Sequence, residues 1–283
     1  IKEIGHAPPS VATIVVALLV AAIGFWLFVR RQRRLENPLL EFSIFLNPAF
    51  SAGVLAAAFA MFAIGGIQLV TTQRFQQVVG FSPLEAGLLV AVIAVASLPT
   101  ALLGGAFLHR VGLLALIAGG LAVAAGGVVV TVVGFQSSFG VLVLGLLVTG
   151  AGLGAAMSVA STAIIGNVPV RRAGMAASLE EVSYEFGSLI AVSVLGSLLT
   201  AIYTASVVLP NGAPAAAGDG IAEALEAAQG DAAIIQAAST AFDSACLVVM
   251  LVVAGVLAAA TVITGVLLRR YLPGTQSQLH SEH

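Results

Sequence analysis

Three carboxylates close together in an apolar stretch are the feature of this sequence with the clearest chemical potential. Glu180, Glu181 and Glu185 lie within 177–208, a run long enough and apolar enough to form a membrane-spanning helix. On a helix, Glu181 and Glu185 are four residues apart and share one face, and Glu180 shares the neighbouring face with Tyr184. Each charge at the centre of a bilayer costs about 2.5–3.5 kcal/mol. We therefore expect these side chains to line a wet cavity or to bind protons.

Carboxyl groups in such a setting can exchange a proton for a cation. Burial and like-charged neighbours both favour the neutral form of a carboxyl group, so proton exchange can occur near neutral pH. This chemistry suits a transporter that couples cation export to proton entry. An alternative is an interfacial cluster in which the acids pair with Arg171 or Arg172, just before the run. Three acids spread over more than one helical turn favour the inward-facing interpretation.

The rest of the chain has the composition of a membrane protein. Of its 283 residues, 59% are hydrophobic and 8% are charged, whereas a soluble domain carries roughly 25% charged residues. This composition excludes a soluble globular enzyme, a nucleic-acid binder and a disordered protein. The predicted fold class is an all-α, polytopic membrane protein with seven transmembrane helices, because seven apolar stretches reach the required length: 11–29, 50–71, 86–108, 112–134, 139–165, 177–208 and 242–268.

The positions of the basic residues predict the orientation of these spans. Basic residues concentrate in cytoplasmic loops, and most of them follow spans one, three, five and seven. We therefore expect the N-terminus of the chain outside and its C-terminus in the cytoplasm. Only Lys2 and Arg74 fall on the outer side, and the inner set is Arg30, Arg31, Arg33, Arg34, Arg110, Arg171, Arg172, Arg269 and Arg270.

The spans divide the chain into predicted segments. We expect an outer loop at 1–10, a first transmembrane helix at 11–29, a cytoplasmic loop at 30–49, a six-helix bundle at 50–268 with an outer loop at 209–241, and a cytoplasmic tail at 269–283. The outer loop carries acids but no Lys or Arg, which fits a solvated cap better than a cation-attracting vestibule. Because the chain begins at Ile1 rather than methionine, we expect it to be part of a longer protein.

Several other residues receive structural interpretations. Ser82 and Glu85 match a capping box, and Asp243 is placed at the outer start of span seven, where a carboxylate complements a helix N-terminus. The run G-x-G-x-G at 150–154 has no preceding strand, so we expect close helix packing and not nucleotide binding. The four histidines form no metal constellation, and the single cysteine, Cys246, excludes a disulfide framework.

Aromatic, thioether and polar side chains in span two are candidates for a cavity that holds a flat lipophilic cation. For each of them, packing in the core or against lipid is an equal alternative. The candidates are Phe59, Met61, Phe62 and Gln68.

The sequence resembles the C-terminal half of the fourteen-helix drug:proton antiporters of the major facilitator superfamily, and most of all the QacA-like quaternary ammonium and methyl viologen exporters. The resemblance covers nearly the whole chain. Its most specific part is the run E-E-V-S-Y-E-F-G at 180–187, followed by G-S-L-L-T-A-I-Y at 196–203. Further matching runs are R-R-Q-R-R-L-E-N-P-L-L at 30–40, I-F-L-N-P-A-F at 44–50, G-F-S-P-L-E-A-G-L at 80–88 and R-R-A-G-M-A-A-S at 171–178.

This resemblance implies a placement for each span. Span one corresponds to the second of two linker helices, and spans two to seven correspond to the second six-helix bundle, in which spans two, three, five and six line the central cavity. The resemblance also assigns proton and cation coupling to Glu180, Glu181 and Glu185. Tyr184 of span six and Ser97 of span three are further candidates for the cavity, besides those of span two.

The same resemblance identifies a degenerate loop signature after span three. The family pattern G-x-L-x-D-R-x-G-R is represented by Gly105, Phe107, His109, Arg110 and Gly112, with His109 in place of the aspartate. The gating salt bridge of the family is therefore in doubt in this half. Some QacA-like members have an acidic residue within the helix that matches span three. No acid lies between Glu85 and Arg110 here, so the resemblance gives little support for a preference for divalent cations.

The implied activity is export of lipophilic or quaternary ammonium cations in exchange for protons, and the protein is expected not to be an enzyme. The proton gradient supplies the energy, with no cofactor or metal. The expected partners are the lipid bilayer, small lipophilic cations and an N-terminal six-helix bundle of the same chain, but no nucleic acid. The expected location is the bacterial plasma membrane. Export of an endogenous metabolite, lipid or antibiotic on the same fold, or a fragment that does not transport, remain alternatives.

Overall fold

The computed structural model describes residues 11–32, 34 and 42–271. The chain divides into two compact units, Ile1–Leu46 and Asn47–His283. The first unit contains helix α1, Val11–Gln32, and a short 3-10 turn, Phe42–Leu46. The predicted outer loop 1–10 and most of the tail 269–283 lie outside the described residues.

The second unit is entirely helical over its described residues. Two of its helices are joined without a break by a π-helical turn, Ala191–Leu195, so that they form one long segment. The helices are α2 Pro48–Gln77, α3 Pro83–Val111, α4 Leu113–Gln136, α5 Phe139–Ile165, α6 Ala173–Ile190, α7 Gly196–Ser206, α8 Ile221–Ala228 and α9 Ala232–Leu268.

Six segments among the described residues are long and apolar enough to cross a membrane: α2, α3, α4, α5, the α6–α7 segment and α9. They match predicted spans two to seven, which confirms the all-α polytopic fold. The stretch predicted as span one is the 22-residue helix α1, and its passage through the membrane stays a prediction.

Local sequence signals fix where several helices begin and end. The Ser82 hydroxyl accepts from the Glu85 amide and the Glu85 carboxylate accepts from the Ser82 amide at 2.8 Å, so the predicted capping box at the start of α3 is confirmed. Gly112 joins α3 to α4 with φ of 86°, a conformation that favours glycine. Asn47 begins α2 by accepting from the amides of Ala49 and Phe50.

Glycines let the central helix α5 pack closely against both of its neighbours. A Cβ atom at Gly150 would overlap the carbonyl oxygen of Ile93 in α3, and one at Gly152 would overlap α4 at Ala124. Gly154 meets the Ser97 carbonyl of α3 in the same way. The G-x-G-x-G run is therefore a helix-packing motif, as predicted.

The helices differ in how much of their surface the bundle covers. Half of the most apolar stretch of α2 and of α5 is buried, against 17% for α3 and 28% for the α6–α7 segment. Helix α3 packs mainly on α5, and α6 packs mainly on α2. These two helices therefore leave large apolar surfaces uncovered within this unit.

The predicted outer loop 209–241 is partly helical, and the helix of span seven begins inside it. It contains α8, and α9 begins at Ala232 with Asp231 as its N-cap, ten residues before the predicted span. The placement of Asp243 at the start of a helix was wrong, because that position lies inside α9. Ten further helical residues form because the apolar face of this stretch, including Ile234 and Ala238, is buried in the core.

Candidate functional site

Glu180 is the buried member of the three predicted carboxylates. Its side chain lies in α6 with only 8% of the residue exposed. One carboxylate oxygen, Oε1, accepts a hydrogen bond from the Tyr184 hydroxyl at 2.7 Å. The other, Oε2, accepts from the Ser161 hydroxyl of α5 at 3.1 Å. The carboxylate is therefore held between two helices by two neutral donors.

The partners of Glu180 argue against the interfacial alternative for this residue. Both of its hydrogen-bond donors are hydroxyls, and no ion pair joins it to an arginine of the described residues. Arg171 and Arg172 lie in the turn Val170–Arg172 before α6. At 1.5 Å rise per residue, Glu180 lies about 12 Å further along the segment than Arg172. Glu180 is thus a buried carboxylate without a cationic partner among the residues that the structure describes, which is costly unless it binds a proton or a cation.

Glu181 and Glu185 lie on a different face of α6. They are four residues apart on the helix, as predicted, and both side chains are exposed. Counted from Ala173, they lie about 12 Å and 18 Å along a segment that is long enough to cross a hydrocarbon core about 30 Å thick. Glu180 is thus the only one of the three that is buried among the described residues, and the expectation that Glu181 and Glu185 line a wet cavity stays a prediction.

A cavity of about 660 Å³ lies between α2, α3 and α5. The predicted candidates Gln68 and Ser97 both line it, together with Met157 and Ser158 of α5. The Ser97 hydroxyl donates to the Ala94 carbonyl and the Ser158 hydroxyl to the Ala101 carbonyl, so these two hydroxyls are already partnered. The full lining is Ile64, Gln68, Thr72, Gly87, Val90, Ala91, Ile93, Ala94, Ser97, Ala101, Leu153, Gly154, Met157 and Ser158.

The cavity and the buried carboxylate occupy neighbouring parts of α5. Ser158 lines the cavity and donates to α3, whereas Ser161, one turn further on, donates to Glu180 of α6. The cavity itself has no charged residue in its lining. It can therefore hold a mainly apolar ligand.

The aromatic and thioether candidates of α2 lie elsewhere. Phe62 belongs to the buried core, and Phe59 packs against that core. Met61 is half-buried, and Tyr184 is half-buried where it donates to Glu180. None of the four is among the residues that line the cavity. For Phe62 the structure favours the packing alternative.

The degenerate loop signature lies at the end of α3. Gly112 supplies the positive φ of the α3–α4 turn, and a Cβ at Gly105 would meet only the Ser158 hydroxyl at 3.6 Å. His109 and Arg110 are in the last turn of α3, and both are exposed. Within the described residues, Arg110 forms no ion pair. Whether the gating salt bridge of the family forms in this half stays a prediction.

The ion-pair partner of Arg74 was not predicted from the sequence. Arg74 is the basic residue of the bundle that falls on the outer side. The Arg74 guanidinium forms a two-pronged ion pair with Asp243 of α9, with N···O distances of 2.8 and 3.2 Å. It also lies 4.7 Å from the centre of the Phe135 ring. Phe75, Phe81, Phe135 and Phe139 form an aromatic cluster beside it. The only sequence signal was a single acid in a long apolar helix.

Metal-binding residues are not clustered in the part of the chain that the structure describes. Cys246 is buried in α9 as an unpaired thiol. The arrangement around α6 is instead suited to binding protons and cations.

The fold and this site define a polytopic helical membrane protein with a carboxylate set in one span. The family model of the Major Facilitator Superfamily matches residues 8–191, and the chain belongs to that superfamily. The comparisons therefore place the chain in a family of transporters and not of enzymes.

A multidrug efflux pump and two drug resistance proteins are among the relatives similar to the chain. The multidrug efflux pump LfrA of Mycolicibacterium smegmatis is 28% identical over 95% of this chain and 55% of its own length. The multidrug resistance protein Stp of Mycobacterium tuberculosis is 31% identical over 70% of this chain and 37% of its own length. The methyl viologen resistance protein SmvA of Salmonella typhimurium is 30% identical over 74% and 42%. The chain thus spans about half the length of the curated relatives it matches.

A solved structure has the same fold. It is the inward-facing, unoccupied form of a bacterial homologue of the human lysosomal transporter Spinster, with a TM-score of 0.66 and 21% sequence identity. The match covers 85% of this chain and 52% of that one. It supports the helical arrangement and carries no information on substrate.

Proposed function

We propose that the chain is the C-terminal half of a multidrug efflux transporter that exports lipophilic or quaternary ammonium cations in exchange for protons. The observation that carries the proposal is the buried Glu180 carboxylate, held by Tyr184 and Ser161 in a membrane-spanning segment. The multidrug and methyl viologen resistance relatives support the substrate class.

The three carboxylates have different roles in this proposal. Glu180 holds the transported proton, because its site is closed and its two neutral donors can bond to either protonation state of the carboxyl. Glu181 and Glu185 attract the cation, because they are exposed on the face of α6 next to each other. Exposed carboxylates at this depth are too costly against lipid, so this face must border a wet cavity or another part of the protein.

The cavity between α2, α3 and α5 is the C-terminal wall of the substrate path in this proposal. Its apolar and thioether lining suits a lipophilic body, and Gln68 and Ser97 add polar contacts. The little-buried helices α3 and α6 then face an N-terminal six-helix bundle, which completes the cavity. Alternating access comes from rocking of the two bundles about a site near the bilayer midplane.

The arginine pattern supports the orientation. With α1 as a linker helix, the end of the bundle that carries Asn47 and Arg110 faces the cytoplasm, and the end that carries Arg74 and α8 faces outward. The location is the plasma membrane of a bacterium. The energy source is the proton gradient, without a cofactor.

The test uses the intact protein in inverted membrane vesicles. Ethidium uptake driven by an imposed proton gradient is measured for the wild type and for E180Q, E181Q and E185Q. The matched control is E85Q, because Glu85 serves in a capping box and glutamine fills that role as well. We expect E180Q to lose gradient-driven uptake and E181Q or E185Q to weaken ethidium binding, with E85Q unchanged.

Unchanged gradient-driven uptake in E180Q, E181Q and E185Q would overturn the assignment of the carboxylates. Absence of ethidium uptake in the wild type would remove the drug as cargo and favour the export of an endogenous compound.

A further inference from the structure

Helix α1 has an exposed stripe that changes from apolar to basic along its length. Leu27, Arg30, Arg31 and Arg34 follow one another at spacings of three, one and three residues, so they lie on one helical face. The chain continues past the helix end with a turn in which the Arg34 amide donates to the Arg31 carbonyl at 3.0 Å. These four residues line a groove of about 410 Å³.

The apolar part of the stripe is exposed over its described residues. Val16, Val20 and Ile23 continue it towards the N-terminus of α1, and they are 59%, 65% and 56% exposed. Every side chain from Leu19 to Phe28 is classed as exposed. In a membrane-spanning helix such an apolar surface is suited to contact with acyl chains.

The basic part of the stripe has no acidic partner among residues 11–32, 34 and 42–271. The arginines at 30, 31 and 34 are exposed and form no ion pair there. The Arg30 guanidinium lies over the Trp26 ring, 5.1 Å from its centre. Trp is enriched at the depth of the lipid headgroups, so this contact places the guanidiniums where phosphates lie.

We propose that this stripe is a binding site for one anionic phospholipid of the cytoplasmic leaflet. Three guanidiniums bind the phosphate of the headgroup, because arginine presents paired N–H donors to phosphate oxygens. Leu27 and the apolar stripe above it lie along an acyl chain. The position of the basic groups at the end of a lipid-exposed helix selects a membrane lipid over a free phosphate, which would gain nothing from the apolar part.

This proposal does not depend on the transported substrate. It requires only that α1 crosses the membrane with Arg34 on the cytoplasmic side. A basic residue near an anionic surface strengthens binding by about fivefold, and the loss of two should weaken it by about tenfold or more.

The experiment measures lipid binding to the intact purified protein. Native mass spectrometry counts bound phosphatidylglycerol and phosphatidylcholine in protein titrated with each lipid. The test variant is R30Q/R34Q, and the matched control is R269Q/R270Q, which removes two exposed arginines after α9, predicted to lie on the same side of the membrane. A charge-preserving variant, R30K/R34K, tests for paired hydrogen bonds.

We expect phosphatidylglycerol binding to fall about tenfold or more in R30Q/R34Q, and to fall in R30K/R34K by a smaller factor, with R269Q/R270Q close to the wild type. Glycerol phosphate in solution should not compete. Equal loss in both Gln pairs would overturn the proposal by showing a general charge effect. Full competition by glycerol phosphate would show a phosphate site in place of a lipid site.

If R30Q/R34Q does not insert into the membrane, photo-crosslinking of the wild-type protein tests the proposal instead. A photoreactive phosphatidylglycerol should label the peptide that contains Trp26 and Leu27. Labelling of other peptides without this one would contradict the proposal.

Discussion

Replacement of Asp243 by asparagine should destabilise the bundle more than removal of its partner Arg74. The two side chains join α9 to α2 by a two-pronged ion pair with N···O distances of 2.8 and 3.2 Å. The Arg74 side chain is 13% exposed and the Asp243 side chain is 37% exposed. D243N therefore leaves a guanidinium that water barely reaches, whereas R74M leaves a carboxylate that water can still solvate.

The expected cost lies between the values for buried and for exposed pairs. Breaking a fully buried pair costs about 3–5 kcal/mol, and an exposed pair is worth about 0.2–1 kcal/mol. Because this pair is partly exposed and Arg74 keeps its contact with the Phe135 ring, we expect about 2 kcal/mol for D243N and about 1 kcal/mol for R74M. The double variant should cost less than the sum of the two.

The assay is reversible denaturant unfolding of the purified intact protein in mixed micelles, with the four members of the cycle compared under one condition. The reasoning would be refuted if R74M costs more than D243N. Strict additivity would also refute it, because additive effects mean that the two side chains do not interact.

Three further predictions concern packing and hydrogen bonds. Gly152→Ala should lower the free energy of unfolding by about 1–3 kcal/mol, because its Cβ overlaps α4 at Ala124 and Gly120. The control Gly126→Ala has open space at its Cβ and should be neutral or stabilising. Equal unfolding midpoints for the two variants would contradict the packing account. Tyr203→Phe removes the buried bond to the Ala217 carbonyl and should make the segment 209–231 more sensitive to limited proteolysis, with equal cleavage rates as the contrary result. S161A and Y184F should each shift the pH dependence of ethidium uptake, because each removes one donor from Glu180; a lower rate with an unchanged pH profile would mean that these residues only support the fold.

Most of the fold could be predicted because a membrane span is recognised by the summed hydropathy of about 20 residues. Runs of apolar side chains located spans two to seven, and the capping box located the start of α3. The start of α9 was missed because its first ten residues are of mixed polarity, and their helical state depends on burial of Ile234 and Ala238 against the rest of the bundle. Such tertiary contacts leave no periodic signal in a short stretch.

Helical spacing predicted part of the geometry of the candidate residues, but not which of them is buried. Helical spacing gave the shared face of Glu181 and Glu185 correctly. It did not reveal that Glu180 is the buried member, because that depends on Ser161, 19 residues earlier in another helix. In the same way, Gln68 and Ser97 share a cavity only because glycines bring α3 close to α5.

The most direct test of the central claim measures protons released when a drug cation binds. The purified intact protein is placed in weakly buffered detergent at neutral pH, and tetraphenylphosphonium is added while a pH indicator is read. The account predicts proton release in the wild type and in E85Q, and little or none in E180Q despite retained binding of the cation. Cation binding without proton release in the wild type, or equal release in E180Q, would contradict it.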